Sequence, residues 1–216
     1  YNGEFYNYKS YASNENINSD ALTLYDCINK YGINFYNEVN GMWASVHSDF
    51  KNKRVFLSRD RYGKKPLYYY LKNKTFIASS EIKSIFHILK IKRKIEIKNL
   101  AYFFSYKISP FFTTGETFYS EIKSILPGTV SLFNIEDGTI KNILKVKHID
   151  QSFKKSFYLD ENKVKNQFKV DIKDSVDLRL KTDRKAALLI SGGVDSSFIA
   201  SQVDRTDMPN LNFYNI

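Results

Sequence analysis

An α+β part followed by the first β-α unit of an α/β part is the architecture this sequence predicts. Up to about residue 145, short runs of β-branched and aromatic residues alternate with polar turns, the mark of strands. Beyond residue 160, Val164, Phe168, Ile172, Val176 and Leu180 recur every four positions, the spacing of one face of a long helix. Ala186-Ala187-Leu188-Leu189-Ile190 then reads as a buried strand, and Ser197-Phe198-Ile199-Ala200-Ser201-Gln202-Val203 as the helix after it. The chain shows no internal repeat.

Each element follows from local chemistry. Residues 20–31 set Leu24, Ile28 and Tyr31 on one helical face, with Cys27 beside it as a small buried residue. Residues 55–58, 66–70 and 75–78 are strand candidates, and Arg61-Tyr62-Gly63-Lys64-Lys65 turns between the first two. Pro66 suits the first position of its strand, where a missing N–H matters least. Ile82, Ile85, Phe86 and Leu89 stand at helical spacing within residues 81–89. Leu126-Pro127-Gly128 turns into a strand over 129–133, and Asp137-Gly138 marks the hairpin beyond it. The pattern lapses over 147–158, which reads as a linker. Asp160 caps the long helix, whose apolar stripe is expected to pack on the sheet that follows. Residues 211–216 read as the start of another strand. Tyr1 is no initiator methionine and both ends look cut, so an internal piece of a longer protein is expected.

Composition narrows the class of function. The hydrophobic content of 43% is that of a globular protein, and no apolar run reaches the length of a membrane span. A soluble, cytoplasmic protein without membrane attachment is expected. The net charge of +10 invites a nucleic-acid reading. The lysines are scattered rather than gathered, however, and the clusters at 90–94 and 145–147 are short, so solvated faces account for them. A single cysteine excludes an intrachain disulfide and a cysteine-rich metal site. His47, His87 and His148 lack any H-x-x-H or H-E-x-x-H spacing, so no metal site of protein ligands is predicted.

Ser191-Gly192-Gly193-Val194-Asp195-Ser196-Ser197, between strand and helix, is the segment richest in chemistry. Glycine lets the backbone approach a ligand closely, while free N–H groups and serine hydroxyls form a concave donor surface for phosphate oxygens. A Gly-Gly corner alone would need no ligand, since such turns also cap helices. The complete string favours nucleotide binding. It holds no lysine and no G-x-x-x-x-G-K-[ST] spacing, so it is not a loop of the γ-phosphate-transferring kind. It looks like the pyrophosphate loop of the ATP pyrophosphatases.

Further motifs stand in order along the chain: Tyr1-Asn2-Gly3-Glu4-Phe5-Tyr6-Asn7, Ser19-Asp20, Asn40-Gly41-Met42-Trp43-Ala44, and the run from Leu57 to Tyr69 through Arg59-Asp60-Arg61-Tyr62-Gly63 and Pro66. Ile77-Ala78-Ser79-Ser80-Glu81-Ile82-Lys83 and Leu126-Pro127-Gly128 follow, ahead of the serine-glycine loop. Together the series resembles the glutamine-hydrolysing asparagine synthetases over nearly the whole chain. The resemblance implies an α-β-β-α sandwich glutaminase domain of the N-terminal-nucleophile type over residues 1–146, a linker over 147–159, and the start of a parallel-sheet ATP-pyrophosphatase domain over 160–216. It implies glutamine, aspartate and ATP as substrates, with Mg²⁺. Ammonia released from glutamine would pass through a tunnel to a β-aspartyl-AMP intermediate, giving asparagine, AMP and pyrophosphate. It is compatible with a homodimer.

Residue by residue, the resemblance makes Asn2 and Gly3 the oxyanion hole, and adds Glu4 and Asp20 as the carboxylates holding the glutamine α-amino group. Asp20 serves equally as a helix N-cap, and its two oxygens allow both roles. Leu189, Ser191, Gly192, Gly193, Asp195 and Ser196 match the AMP and pyrophosphate contacts, while Arg59, Asp60 and Pro66 read as structural. The family's nucleophile, an N-terminal cysteine with its own amino group as base, would lie upstream of Tyr1, and Cys27 cannot replace it from inside a helix. Leu22 stands where the family usually carries an acidic residue. Related enzymes amidate a sugar acid or cyclise a peptide, and a non-catalytic relative would keep only the fold. The residues that choose the acceptor would lie beyond Ile216.

Overall fold

The computed structural model describes residues 1–13, 17–107, 113–147, 160–182, 185–204 and 211–215, and folds the short N-terminal strands into two antiparallel sheets. The chain divides into two compact units, Tyr1–Gln151 and Ser152–Ile216. In the first, β1 (Asn2–Phe5), β2 (Gly41–Asp49), β3 (Arg54–Arg59), β7 (Thr129–Asn134) and β8 (Ile140–Lys145) form a five-stranded sheet in the order β1-β2-β3-β7-β8. The strands β4 (Tyr68–Lys72), β5 (Thr75–Ser79) and β6 (Ile122–Ser124) form a three-stranded sheet in the order β5-β4-β6. Among the described residues three α-helices accompany them: α1 (Asp20–Tyr31), α2 (Ile82–Leu89) and α3 (Ile97–Tyr106).

Both sheets bury apolar side chains on both faces, so their strands need not alternate apolar with polar. Trp43 of β2 joins Leu24 and Ile28 of α1 in one cluster, while its neighbour Ala44 joins Leu57, Leu67 and Phe133 in a second. On β4, Tyr69 and Leu71 pack against that second cluster, whereas Tyr70 points into a third with Ile85 and Phe86 of α2. The Phe76 and Phe133 rings stack at 4.0 Å between the sheets.

The turn after β3 ties the sheets together. Asp60, 1% exposed, accepts N–H bonds from Tyr62, Lys64 and Lys65 at 2.9–3.1 Å. The Arg59 guanidinium donates to the carbonyls of Lys65, Gly63 and Ile125 and to Ser124 Oγ, at 2.7–2.9 Å. The structural reading of this pair therefore has its geometry: one residue satisfies the turn's donors and the other its acceptors. Gly63 sits at φ +64°, where a Cβ would also meet Pro127.

The second unit contains α4 (Glu161–Leu180), β9 (Ala186–Ile190), α5 (Val194–Ser201) and β10 (Leu211–Asn215), with β9 and β10 parallel. Asp160 caps α4 by accepting from the N–H groups of Asn162 and Lys163. Several expectations need correction. Ser19, not Asp20, is the N-cap of α1: its hydroxyl accepts from Leu22 N–H, and Asp20 is the first helical residue. Tyr31 is exposed and stacks on Phe35 instead of continuing the buried face. Pro66 precedes its strand, which begins at Tyr68. In α4, Val164 and Phe168 are exposed, Phe168 stacking on Phe198 of α5 at 5.9 Å, while Ile172, Val176 and Leu180 of the same stripe are half-buried. Residues 148–159, most of the expected linker, lie outside the described residues.

Candidate functional site

Two places carry the residues singled out by sequence, one in each unit. In the first unit, β1 lies at the edge of the five-stranded sheet, paired with β2 so that Gly3 faces Trp43 and Glu4 faces Met42. A Cβ on Gly3 would collide with the Met42 carbonyl oxygen, and one on Gly41 with that of Glu4. Only glycine lets these strands approach so closely at both positions.

Asp20 is delivered to this edge by the start of α1. Its Oδ2 accepts from Phe5 N–H at 3.0 Å and from the Tyr1 hydroxyl at 2.8 Å, and its Oδ1 accepts from Ala21 N–H at 2.7 Å. The bond to Phe5 sets Asp20 against the end of β1, the strand that carries Asn2, Gly3 and Glu4. The Asn2 amide Nδ2 donates to Ser80 Oγ at 3.4 Å. The Tyr1 phenol is pushed far above its usual range, first by burial, then by Asp20, with Glu4 adding to it. Both carboxylates thus act on one hydroxyl, which stays protonated and remains a donor. Leu22 is exposed in the first turn of α1, and its side chain takes no part in these hydrogen bonds.

Cys27 is buried in α1, 3% exposed, with its thiol against the Tyr11 carbonyl at 3.9 Å. Burial, then the Asp26 carboxylate, push its thiol up. A buried thiol of raised pKa is a poor nucleophile.

In the second unit the serine-glycine loop joins β9 to α5. Gly192 adopts φ +76° with open space around it, and Gly193 is the N-cap residue of α5. Ser196 Oγ accepts from Ser191 N–H at 3.3 Å, lies 3.2 Å from Ser191 Oγ, and bonds the Gly193 carbonyl at 3.2 Å. The two serines brace the loop from within. Leu189 at the end of β9 is exposed, as is Asp195 in the first turn of α5. Among the described residues no group of three or more His, Cys, Asp or Glu side chains is arranged to hold a metal, and no helix is long and apolar enough to cross a membrane.

Sequence reasoning did not assign Tyr1 or Ser80 to this site. Ser80 lies in the Ile77–Lys83 motif, and Tyr1 read only as a residue at the start of a patterned segment. The signal was absent because both contacts join residues far apart in sequence.

Comparison with known proteins gives two family matches. The glutamine amidotransferase domain family matches residues 1–144 and the asparagine synthase family matches residues 167–216. A putative glutamine-hydrolysing asparagine synthetase 2 of Methanocaldococcus jannaschii is 32% identical over the whole chain, which covers 42% of that protein. A glutamine-hydrolysing asparagine synthetase of Mus musculus is 28% identical over 94% of this chain, which covers 35% of its length. The chain therefore spans 35–42% of the length of these curated relatives. Among solved structures, the glutamine phosphoribosylpyrophosphate amidotransferase of B. subtilis, complexed with ADP and GMP, aligns at 12% identity. Its TM-score of 0.45, over 99% of this chain and 44% of that one, is too low to assign a shared fold.

Proposed function

We propose a function from one premise: this chain belongs to the glutamine amidotransferase domain family and continues into an asparagine synthase segment. The whole protein is a glutamine-hydrolysing asparagine synthetase. Residues 1–146 act as the glutaminase domain, 147–159 as the linker, and 160–216 as the opening of the ATP-using domain. The apolar clusters on either side of each sheet support an α-β-β-α sandwich for the first domain. The observation that carries the reading is the bond from Phe5 N–H to Asp20, which sets Asp20 against β1, the strand that carries Asn2, Gly3 and Glu4.

In this reading Glu4 and Asp20 hold the glutamine α-ammonium by fixed negative charge. A thiolate attacks the side-chain amide carbon, and the Asn2 amide and Gly3 N–H donate to the oxyanion that forms. Each such donor lowers the barrier by about 3 kcal/mol. Buried Cys27 is not that thiolate. Collapse of the oxyanion expels ammonia and leaves a glutamyl thioester, which water hydrolyses to glutamate. The ammonia passes to the second domain, where the aspartate side-chain carboxylate attacks the α-phosphorus of ATP and expels pyrophosphate. Ammonia then displaces AMP from β-aspartyl-AMP to give asparagine.

The donor set of the β9–α5 loop fits a pyrophosphate: two hydroxyls, an open glycine backbone and a helix N-terminus. Ser191, Gly192, Gly193 and Ser196 would hold it, with Leu189 against the AMP moiety. Asp195 is the one carboxylate in this loop, and would hold a Mg²⁺ whose other ligands are phosphate oxygens and water. Bound there, the cation neutralises charge on the leaving pyrophosphate.

Product analysis of the full-length protein tests the reading. Equal amounts of AMP, pyrophosphate and asparagine are expected, and ADP with phosphate would overturn it. Asp195→Ala should abolish ATP-dependent synthesis and leave glutamate release within about twofold of the parent. Parallel loss of both activities would refute the assignment of the loop.

A further inference from the structure

The hydrogen bonds around Asp20 are unequally shared. Oδ2 takes two donors, the Tyr1 hydroxyl and Phe5 N–H, which fill its two lone pairs. Oδ1 takes one, Ala21 N–H. The backbone donors are set by β1 and by the first turn of α1. The third donor is a side chain, separated from Asp20 by 19 positions, and it is the one that spans from the start of the strand to the helix.

We propose that Tyr1 is a positioning residue for the glutamine pocket: its hydroxyl occupies Asp20 Oδ2 and so leaves Oδ1 as the oxygen that accepts the substrate α-ammonium. The inference rests on the reading of Asp20 as a glutamine-binding carboxylate. The hydroxyl is the donor in this pair, because a carboxylate oxygen only accepts. Without the hydroxyl, Phe5 N–H and Ala21 N–H still hold the carboxylate, but Oδ2 has a spare lone pair that competes with Oδ1 for the α-ammonium. A bond from a neutral donor to a charged acceptor is stronger than one between neutral groups, so its loss should be legible in binding.

The test is Tyr1→Phe in the full-length protein, with glutamine and its analogue lacking the α-amino group as paired substrates. The KM for glutamine is expected to rise roughly tenfold, the loss expected of one charge-assisted hydrogen bond. The kcat should stay within about twofold, and synthesis from added ammonia should be unchanged. Discrimination between glutamine and the des-amino analogue should fall by the same roughly tenfold, a selectivity that a merely structural role would not move. An unchanged KM, an unchanged discrimination, or a parallel fall in ammonia-dependent synthesis would overturn the inference. Asp20→Asn separates this inference from the reading beneath it. If Asp20→Asn abolishes discrimination while Tyr1→Phe leaves it intact, only the role of Tyr1 fails. If neither variant moves it, Asp20 does not hold the α-ammonium.

Discussion

Asp60 shows how much one buried carboxylate can matter in a protein with many exposed charges. It is 1% exposed, and the N–H groups of Tyr62, Lys64 and Lys65 converge on it inside the turn that leads toward the second sheet. Truncating it leaves three backbone donors to find other acceptors, and each unsatisfied buried donor costs about 1–3 kcal/mol. Tyr62 and Lys64 are exposed, so water replaces part of what is lost, and Asp60→Ala is expected to lose about 2 kcal/mol, read as a shift of the urea midpoint at unchanged slope. The Lys53–Glu136 pair offers the contrast: its bond is short, at 2.7 Å, but its side chains are 60% and 62% exposed. Such a pair is worth about 1 kcal/mol at most, so Lys53→Ala should shift the midpoint little. A small loss at Asp60 with a large one at Lys53 would contradict this account. Arg59 and Asp60 were legible in sequence as a structural turn. The roles of Tyr1 and Ser80 were not, since their partners are 19 and 78 positions away.

Among the elements, the hairpins β2–β3 and β7–β8 are closed by aspartates held in their charged form. The Asn52 side chain, and then its backbone N–H, hold the Asp49 carboxyl below the usual carboxylate range. Thr139 does the same for Asp137, through its hydroxyl and its backbone N–H. Both folded values are lowered, so their contribution is complete above the unfolded value near 3.9 and is lost as pH falls through the folded values. The double variant Asp49→Asn, Asp137→Asn should accordingly melt below the parent at pH 7, with the gap closing toward pH 2. A gap that widens on acidification would reverse the sign and refute the assignment. The sequence revealed β3, β4 and β5 because sheets buried on both faces need unbroken apolar runs, such as Leu67 to Leu71. It revealed α1, α2 and α4 through their period and the acidic cap of α4. It did not reveal β1 and β2, where Gly3 and Gly41 sit for close strand approach, nor the short β6, and it implied β8 only through the hairpin at Asp137-Gly138. The aromatic run of α3 carries no clean period and was also passed over.

Across the whole molecule, the apolar clusters and the charge act on association in opposite directions. All three clusters lie in the first unit. In the second, Val203 and Leu211 are the only buried apolar side chains among the described residues, while Val164, Phe168, Leu189, Val194 and Tyr214 are each more than 40% exposed. Apolar surface of this kind favours self-association at about 25 cal/mol per Å² removed from water. The net charge of +10 opposes it by repulsion between copies. Repulsion between exposed charges is screened within about 10 Å at 0.1 M salt, whereas apolar burial is not weakened by salt. The 216-residue chain is thus expected to sediment as a monomer–oligomer mixture at micromolar concentration, shifting toward oligomer as sodium chloride rises from 0.05 to 0.5 M. The variant Val164→Glu, Phe168→Glu should remain monomeric across that range, because it places charge on the exposed face of α4. Oligomers that dissolve as salt rises would mean that charge pairing drives assembly, and a parent monomeric throughout would mean that the exposed apolar face has no affinity for itself.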